Sequence, residues 1–176
     1  IDILVNNAGI YRENSSTHSL STDGEVDFDW ETINDLIQTN MLGYFISTEL
    51  ARPLMRDNGS IVHISSVNGL RGKGGCDIYD MTKAGINVLT LNHARQFAPK
   101  GIRVNAVCPS STVTPMRDDA LGRYLPDGVQ RRDFDESEAK SVPFQRLGKP
   151  EDIAQMVAFL SSDESCYTTG QIISVD

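Results

Sequence analysis

Short unbroken apolar runs closed by turn residues alternate along the chain with longer stretches in which apolar positions recur at helical spacing. Ile3-Leu4-Val5 ends at Asn6-Asn7-Ala8-Gly9, and such a run without polar alternation predicts a strand buried on both faces, the habit of a parallel sheet. From Arg12 to Val26 the chain turns polar, with Glu13, Asn14, Ser15, Ser16, Thr17, Asp23 and Gly24, which predicts a surface loop. From Asp27 to about Arg56, Trp30, Ile33, Ile37, Asn40, Tyr44 and Ser47 fall on one helical stripe, and acidic residues in its first turn favour the positive end of the helix dipole. Asn40 is thereby a polar side chain on an apolar face. Asn58-Gly59 turns the chain into a second strand from Ser60 to Ser65, and a glycine-rich loop runs from Gly69 to Gly75. A long helix is predicted from about Asp77 to Ala98, stopped by Pro99-Lys100-Gly101 and followed by a third strand over Ile102 to Val107. Residues 115 to 145 are polar with short helical hints, Pro150-Glu151-Asp152 opens an amphipathic helix to about Leu160, and Gln171 to Val175 closes as a fourth strand.

Strand, helix, strand, helix, strand is the rhythm of a doubly wound α/β fold with a parallel sheet, whose ligands sit beyond the carboxyl ends of the strands. The residues just after each strand are therefore the candidates for function. No repeat, linker or low-complexity tract divides the 176 residues, so 1–176 reads as a single domain, and 39% hydrophobic residues suffice for a sizeable core. Sixteen basic against 24 acidic side chains leave a net charge of −8, which excludes a nucleic acid or an anionic membrane as a partner held by charge and leaves small molecules. Cys76, Cys108 and Cys166 show no CxxC spacing, so neither a disulfide framework nor a zinc site is indicated and a reducing, cytoplasmic location is expected. No run approaches the roughly 18 apolar residues of a membrane span, and no signal peptide is read.

Tyr79 and Lys83 stand four apart in the first turns of the long helix, so both side chains lie on one face and the ammonium reaches the neighbourhood of the phenol. A phenol of pKa about 10 is a poor base at neutral pH, and a cation within hydrogen-bonding range lowers it by about 1 to 3 units, which predicts a usable acid/base. Ser66 stands at the carboxyl end of the second strand, where a hydroxyl can hold a substrate oxygen beside the phenol, and Asn40 can orient Lys83 directly or through water. Each residue alone has a plainer meaning. A Tyr four before a Lys arises often by chance on a helix surface, Ser66 alone is a strand-end turn residue, and Asn40 alone marks a helix kink. Four such residues in this order, at consistent strand-end and helix positions, are hard to obtain by accident.

The blocks Asn6-Asn7-Ala8-Gly9, Asn40, Ile64-Ser65-Ser66, Tyr79-Asp80-Met81-Thr82-Lys83, Arg103-Val104-Asn105-Ala106-Val107-Cys108-Pro109, Thr114-Pro115-Met116, Pro150-Glu151-Asp152-Ile153-Ala154 and Thr169-Gly170-Gln171 carry a resemblance to the short-chain dehydrogenase/reductases over nearly the whole chain. The resemblance implies a Rossmann-like fold of which these residues supply the C-terminal portion, strands four to seven. It also implies hydride transfer between a nicotinamide cofactor, NAD or NADP, and a small alcohol/carbonyl pair. In that frame Tyr79 is the catalytic acid/base, Lys83 lowers its pKa and binds the nicotinamide ribose, Ser66 holds the reacting oxygen and Asn40 holds a water in a proton relay to Lys83. Asn7, Ala8 and Gly9 match the segment passing the adenosine-side ribose, Thr112 and Thr114 match positions that meet the carboxamide and phosphates, and Pro109 belongs to the same cofactor-facing stretch. A homotetramer or homodimer packed through the long helices and the last strand is likewise implied.

Two departures stand out. The family's Pro-Gly is Pro109-Ser110 here, and a Cβ at that point is expected to limit how closely the backbone approaches the nicotinamide. The family's phosphate-binding fingerprint, Thr-Gly-x-x-x-Gly-x-Gly, belongs upstream of Asn6 and does not occur. The sequence is therefore expected to be partial, unable by itself to bind dinucleotide usefully and prone to aggregate through an unpaired strand edge. Gly69, Gly72, Gly74 and Gly75 have the wrong spacing over too long a connection to replace the fingerprint, and are expected to wall a substrate pocket. With the residue that reads the ribose 2′ position also upstream, NAD and NADP both stay open.

The Gly72-Lys73-Gly74-Gly75 loop resembles that of 3-oxoacyl-carrier-protein reductases, while polyol and secondary-alcohol dehydrogenases fit equally. A non-catalytic binding or assembly subunit is the competing class, opposed by the completeness of the four-residue set. Of the remaining candidates, His63 between Val62 and Ile64 reads as a packed core residue, and His18 and His93 lack partners at metal spacing, so no metal is expected. Cys76 is expected to line the pocket without acting as a nucleophile. Asp118-Asp119 and Arg131-Arg132-Asp133 read as solvated faces; by the resemblance they fall in the region that caps the substrate, which leaves a role in specificity open.

Overall fold

The computed structural model describes residues 1–12, 18–20, 26–72 and 75–176. In chain order, β1 (Ile3–Asn6) is followed by a short antiparallel pair, β2 (His18–Leu20) and β3 (Val26–Phe28), and then by α1 (Trp30–Ile37) and α2 (Gly43–Ala51). Next come β4 (Ser60–Ile64), the single turn α3 (Asn68–Arg71), the long α4 (Asp77–Phe97) and β5 (Arg103–Pro109). The chain continues through α5 (Pro115–Tyr124), α6 (Arg131–Ser141), α7 (Pro150–Ser161) and β6 (Ile172–Val175). The main sheet is all parallel in the order β1-β4-β5-β6, as the four predicted strands require.

Strand alternation sends side chains to two cores. Leu4, Ile61 and Val104 pack with Ala51, Met55, Ala94 and Phe97 beneath α2 and α4. Val62, Ile64, Val107 and Ile173 point the other way and pack on Ile153, Met156, Val157 and Leu160 of α7. Helices therefore cover both faces of β4 and β5, and every residue from Ser60 to His63 and from Arg103 to Cys108 is buried, the polar Ser60, His63, Arg103 and Asn105 among them. β1 departs from the expectation of burial on both faces: Ile3 and Val5 are 48% and 41% exposed. Among the described residues it stands at the edge of the sheet, and α7 packs on β4, β5 and β6.

The stretch expected as a single helix from Asp27 to Arg56 is α1, a π-helical turn, α2 and a 3-10 turn over Arg52–Leu54. Asp27 belongs to β3, and the helix starts after Asp29, whose carboxylate accepts the Thr32 N–H at 3.0 Å. Trp30 does not join the buried stripe but packs on Phe28 (ring centroids 5.5 Å) and stays 63% exposed. A π-helical turn, Gln38–Leu42, then widens the helix, and it is this turn that carries Asn40 fully inside. The polar stretch from Arg12 to Val26, expected to be loop, contains β2 and the start of β3; residues 13–17, 21–25 and 73–74 lie outside the described residues. No described helix is long and apolar enough to cross a membrane, and no described cluster of His, Cys, Asp and Glu could hold a metal.

Candidate active site

The carboxyl ends of β1, β4 and β5 open into a cleft of about 1350 Å³, walled on its far side by α5, α6 and α7. This exceeds the roughly 300–1,000 Å³ of an ordinary small-molecule site and leaves room for two ligands side by side. Asn7, Ala8 and Gly9 line it from β1, Ser66 from β4, Tyr79 and Lys83 from α4. Pro109, Thr112 and Thr114 line it from the segment after β5. All the residues singled out from the sequence for chemistry or cofactor contact thus face one cleft, except Asn40, which stands behind it.

Lys83 is 4% exposed. Its Nζ donates to the Ile64 carbonyl at 3.0 Å, and so does the Tyr44 hydroxyl at 2.9 Å. The ammonium also lies over the rings of Tyr44 and Tyr79, 5.4 and 5.7 Å from their centroids. Burial pushes the Lys83 ammonium down to about 8, because a desolvated cation is costly. Tyr79 goes the opposite way from the expectation: burial pushes its phenol up to about 12, the nearby Asp80 and Cys76 push in the same direction, and a hydrogen bond with Ser66 pulls it back. The phenol is thereby held in its protonated form, because a buried phenolate is poorly solvated.

Ser66 is nearly buried, and its Oγ accepts the Asn68 N–H at 3.1 Å, which orients the hydroxyl toward Tyr79. Asn40 does not bond to Lys83. Its Oδ1 accepts the Ile10 N–H (2.8 Å) and its Nδ2 donates to the Ile10 carbonyl (2.9 Å), which pins the segment after Gly9. A Cβ built on Gly9 would lie 3.4 Å from Asn40 Oδ1 and 3.6 Å from Lys83 Nζ, so the glycine keeps open the space beside the ammonium. Ser110, which replaces the expected glycine, is not in the left-handed region and takes its Cβ without strain. Thr114 caps α5 by accepting the Arg117 N–H at 3.3 Å, and Thr112 pairs with Gly148.

Other residues emerge only from the fold. The Ser65 hydroxyl donates to the Lys83 carbonyl at 2.9 Å, and Gly69, expected to wall the pocket, packs instead against the Lys83–Ala84 peptide of α4, with its carbonyl held by Asn87 Nδ2 at 3.0 Å. Ser65 stands in the Ile64-Ser65-Ser66 block and Gly69 in the glycine-rich loop, and neither pattern tells what the residue touches. Cys76 does not line the cleft but sits behind Tyr11, its Sγ 2.7 Å from the Tyr11 hydroxyl. Asp118 and Arg131 pair with each other at the surface, as do Arg132 and Asp133.

The nicotinamide side of a dinucleotide fits this cleft on the evidence of Lys83: one of its three donors is taken by Ile64, and among the described residues no second acceptor meets it, so donors remain for ribose hydroxyls. The described residues after β1 contain no glycine-rich turn opening a helix for the phosphates.

A parallel sheet flanked by helices, with polar residues gathered beyond its strand ends, defines a Rossmann-like fold. A family model described as Enoyl-(Acyl carrier protein) reductase matches residues 1–176. The 3-oxoacyl-(acyl-carrier-protein) reductase FabG of Thermotoga maritima is 39% identical over 178 residues, covering 100% of this chain and 65% of its own. A short chain dehydrogenase family protein from Francisella tularensis superposes with a TM-score of 0.89 at 28% identity, over 100% of this chain and 69% of that one. A blue fluorescent protein from a metagenomic library, solved in complex with NADPH, gives 0.80 at 28% identity over 100% and 64%. The chain belongs to the short-chain dehydrogenase/reductase family. It spans about two thirds, 65%, of the length of the Thermotoga relative.

Proposed function

We propose that this chain forms the catalytic part of an NAD- or NADP-dependent oxidoreductase that interconverts a small alcohol and its carbonyl compound. The observation that carries this is the meeting of Ser66, Tyr79 and Lys83 in one cleft, with a hydrogen bond between Ser66 and Tyr79 and the Lys83 ammonium over the Tyr79 ring. In carbonyl reduction the protonated Tyr79 donates to the substrate oxygen while Ser66 holds that oxygen by a second hydrogen bond. Lys83 holds the ribose of the cofactor and stabilises the phenolate that remains, and Asn40 keeps the wall after Gly9 in place. A nicotinamide cofactor, when bound, supplies or accepts the hydride.

Within this class the likeness to the Thermotoga enzyme favours 3-oxoacyl thioesters as substrates. An assembly of identical copies through α2 and α4 belongs to the same proposal, since Ile46 and Leu50 on α2 and Met81 and Val88 on α4 are 50 to 70% exposed. Cys76, Cys108 and Cys166 are joined in no disulfide, which suits a reducing cytoplasm.

Tyr79→Phe in the intact protein is the test. It removes the transferable proton and keeps the ring, so carbonyl reduction with NADH or NADPH should fall by a factor of at least about 10². Reduction at the parent rate would remove the acid/base role.

A further inference from the structure

Tyr11 lies two residues beyond Gly9 on the wall of the cleft, and nothing in the chemistry above uses it. Its ring stands edge-on to that of Tyr79, with centroids 4.9 Å and planes 83° apart. Edge-to-face rings hold each other's orientation as well as their separation. Its hydroxyl meets Cys76 Sγ at 2.7 Å, and Cys76 is the residue from which α4 starts. Tyr11 is therefore fixed at both ends to the helix that bears Tyr79 and Lys83.

The backbone of the same segment is gripped from across the cleft. Arg123 Nη2 donates to the Tyr11 carbonyl at 2.9 Å, and the Tyr124 hydroxyl donates to the Arg12 carbonyl at 2.6 Å. Both donors come from the last turn of α5, and the Tyr124 ring meets Tyr11 edge-on at 6.4 Å. At the other end of α5, Arg117 is only 10% exposed and pairs with Asp135 and Glu138 of α6, so the two helices form one cap. The bonds at the rim are exposed to solvent, where water competes with them, and a contact of that kind opens readily enough for a substrate to enter and leave.

We propose that Tyr11 is a positioning residue for Tyr79 and the anchor onto which α5 closes, so that covering a substrate and aligning the phenol are one event. This rests on Tyr79 being the acid/base. Without the Tyr11 ring, the phenol gains rotational freedom and water reaches it.

The test uses the full-length enzyme with its turned-over carbonyl substrate. Tyr11→Ala should lower kcat by about 10- to 100-fold, the cost of a misplaced reacting group, while the cofactor KM stays in place. Its alkaline limb should move to lower pH, because a hydrated phenol gives up its proton more easily. Tyr11→Phe, which keeps the ring, should recover most of the lost kcat. Parent kcat and pH profile in Tyr11→Ala, or a Phe variant as slow as the Ala variant, would overturn the proposal. Should Tyr11→Ala fail to fold, Tyr124→Phe removes only the rim hydroxyl and should raise the substrate KM; an unchanged KM would overturn the anchoring. Tyr79→Phe assayed alongside separates the two ideas, since its loss of activity upholds the acid/base whatever Tyr11 does, and its survival removes the acid/base itself.

Discussion

Asn6 Nδ2 donates to the Thr48 hydroxyl at 2.9 Å and meets His63 Nδ1 at 3.0 Å, while Asn6 Oδ1 accepts from Ser47 at 2.7 Å. His63 Nδ1 is thereby an acceptor and its proton sits on Nε2, which has no partner among the described residues. The ring is fully buried, and burial, with the neighbouring His93 adding, pushes its pKa down to about 3. In the unfolded chain the imidazole titrates near 6.5. The fold therefore keeps its full stability above about pH 6.5 and, as pH falls toward 3, loses about 1.4 kcal/mol per unit on account of this ring. Urea midpoints measured between pH 7 and pH 4 should fall steeply, and His63→Phe should flatten the decline; an unaltered slope in the variant would clear His63 of the effect. Its place in the core was legible because Val62 and Ile64 flank it. Tyr11 and Ser65 were not, because the groups they hold come from distant parts of the sequence or from main-chain atoms that leave no residue signature.

Elements with one dominant cause were legible to within one or two residues. β4, β5 and β6 follow their apolar runs, and α4 ends where Pro99 and Gly101 stop it. The stretch from Asp27 to Arg56 was not legible as built, since a π-turn inserts one residue into the ladder without changing composition, and β3 is a three-residue strand paired antiparallel to the equally short β2. The packing of α3 on α4 was equally hidden, and it depends on Gly69. A Cβ there would stand 2.6 Å from the Lys83 carbonyl carbon and 2.8 Å from the Ala84 nitrogen, backbone atoms that cannot swing aside. Gly69→Ala should therefore destabilise the fold by about 1–3 kcal/mol, the usual cost of overpacking, and lower turnover by displacing Lys83. Gly122→Ala is the matched control: a Cβ in α5 meets nothing within 4 Å, and removing a mid-helix glycine should stabilise by about 0.5–1 kcal/mol. Equal denaturant midpoints for the two variants would refute the close-approach account of Gly69.

At the scale of the molecule, the sheet order and the cleft at the strand ends follow from strand rhythm and strand-end residues, while the surfaces are decided by what packs outside them. Phe45, Ile46 and Leu50 on α2 and Met81, Val88 and Leu91 on α4 are exposed apolar side chains, of the kind that a partner surface covers when they adjoin. Light scattering on the intact protein should find an even-numbered oligomer, and Leu50→Glu should lower its mass; a parent protein already monomeric at micromolar concentration would exclude this interface. The sheet itself is unequally divided. Ser66, Tyr79 and Lys83 all lie on the β4-α3-α4-β5 passage, the shortest crossover in the sheet, whereas α5 and α6 belong to the long excursion from β5 to β6. The three side chains that meet at the strand ends and the helices that cover them are thus written on separate, contiguous lengths of chain. Residues 115 to 149 can change in length and sequence without interrupting the passage that places Ser66, Tyr79 and Lys83.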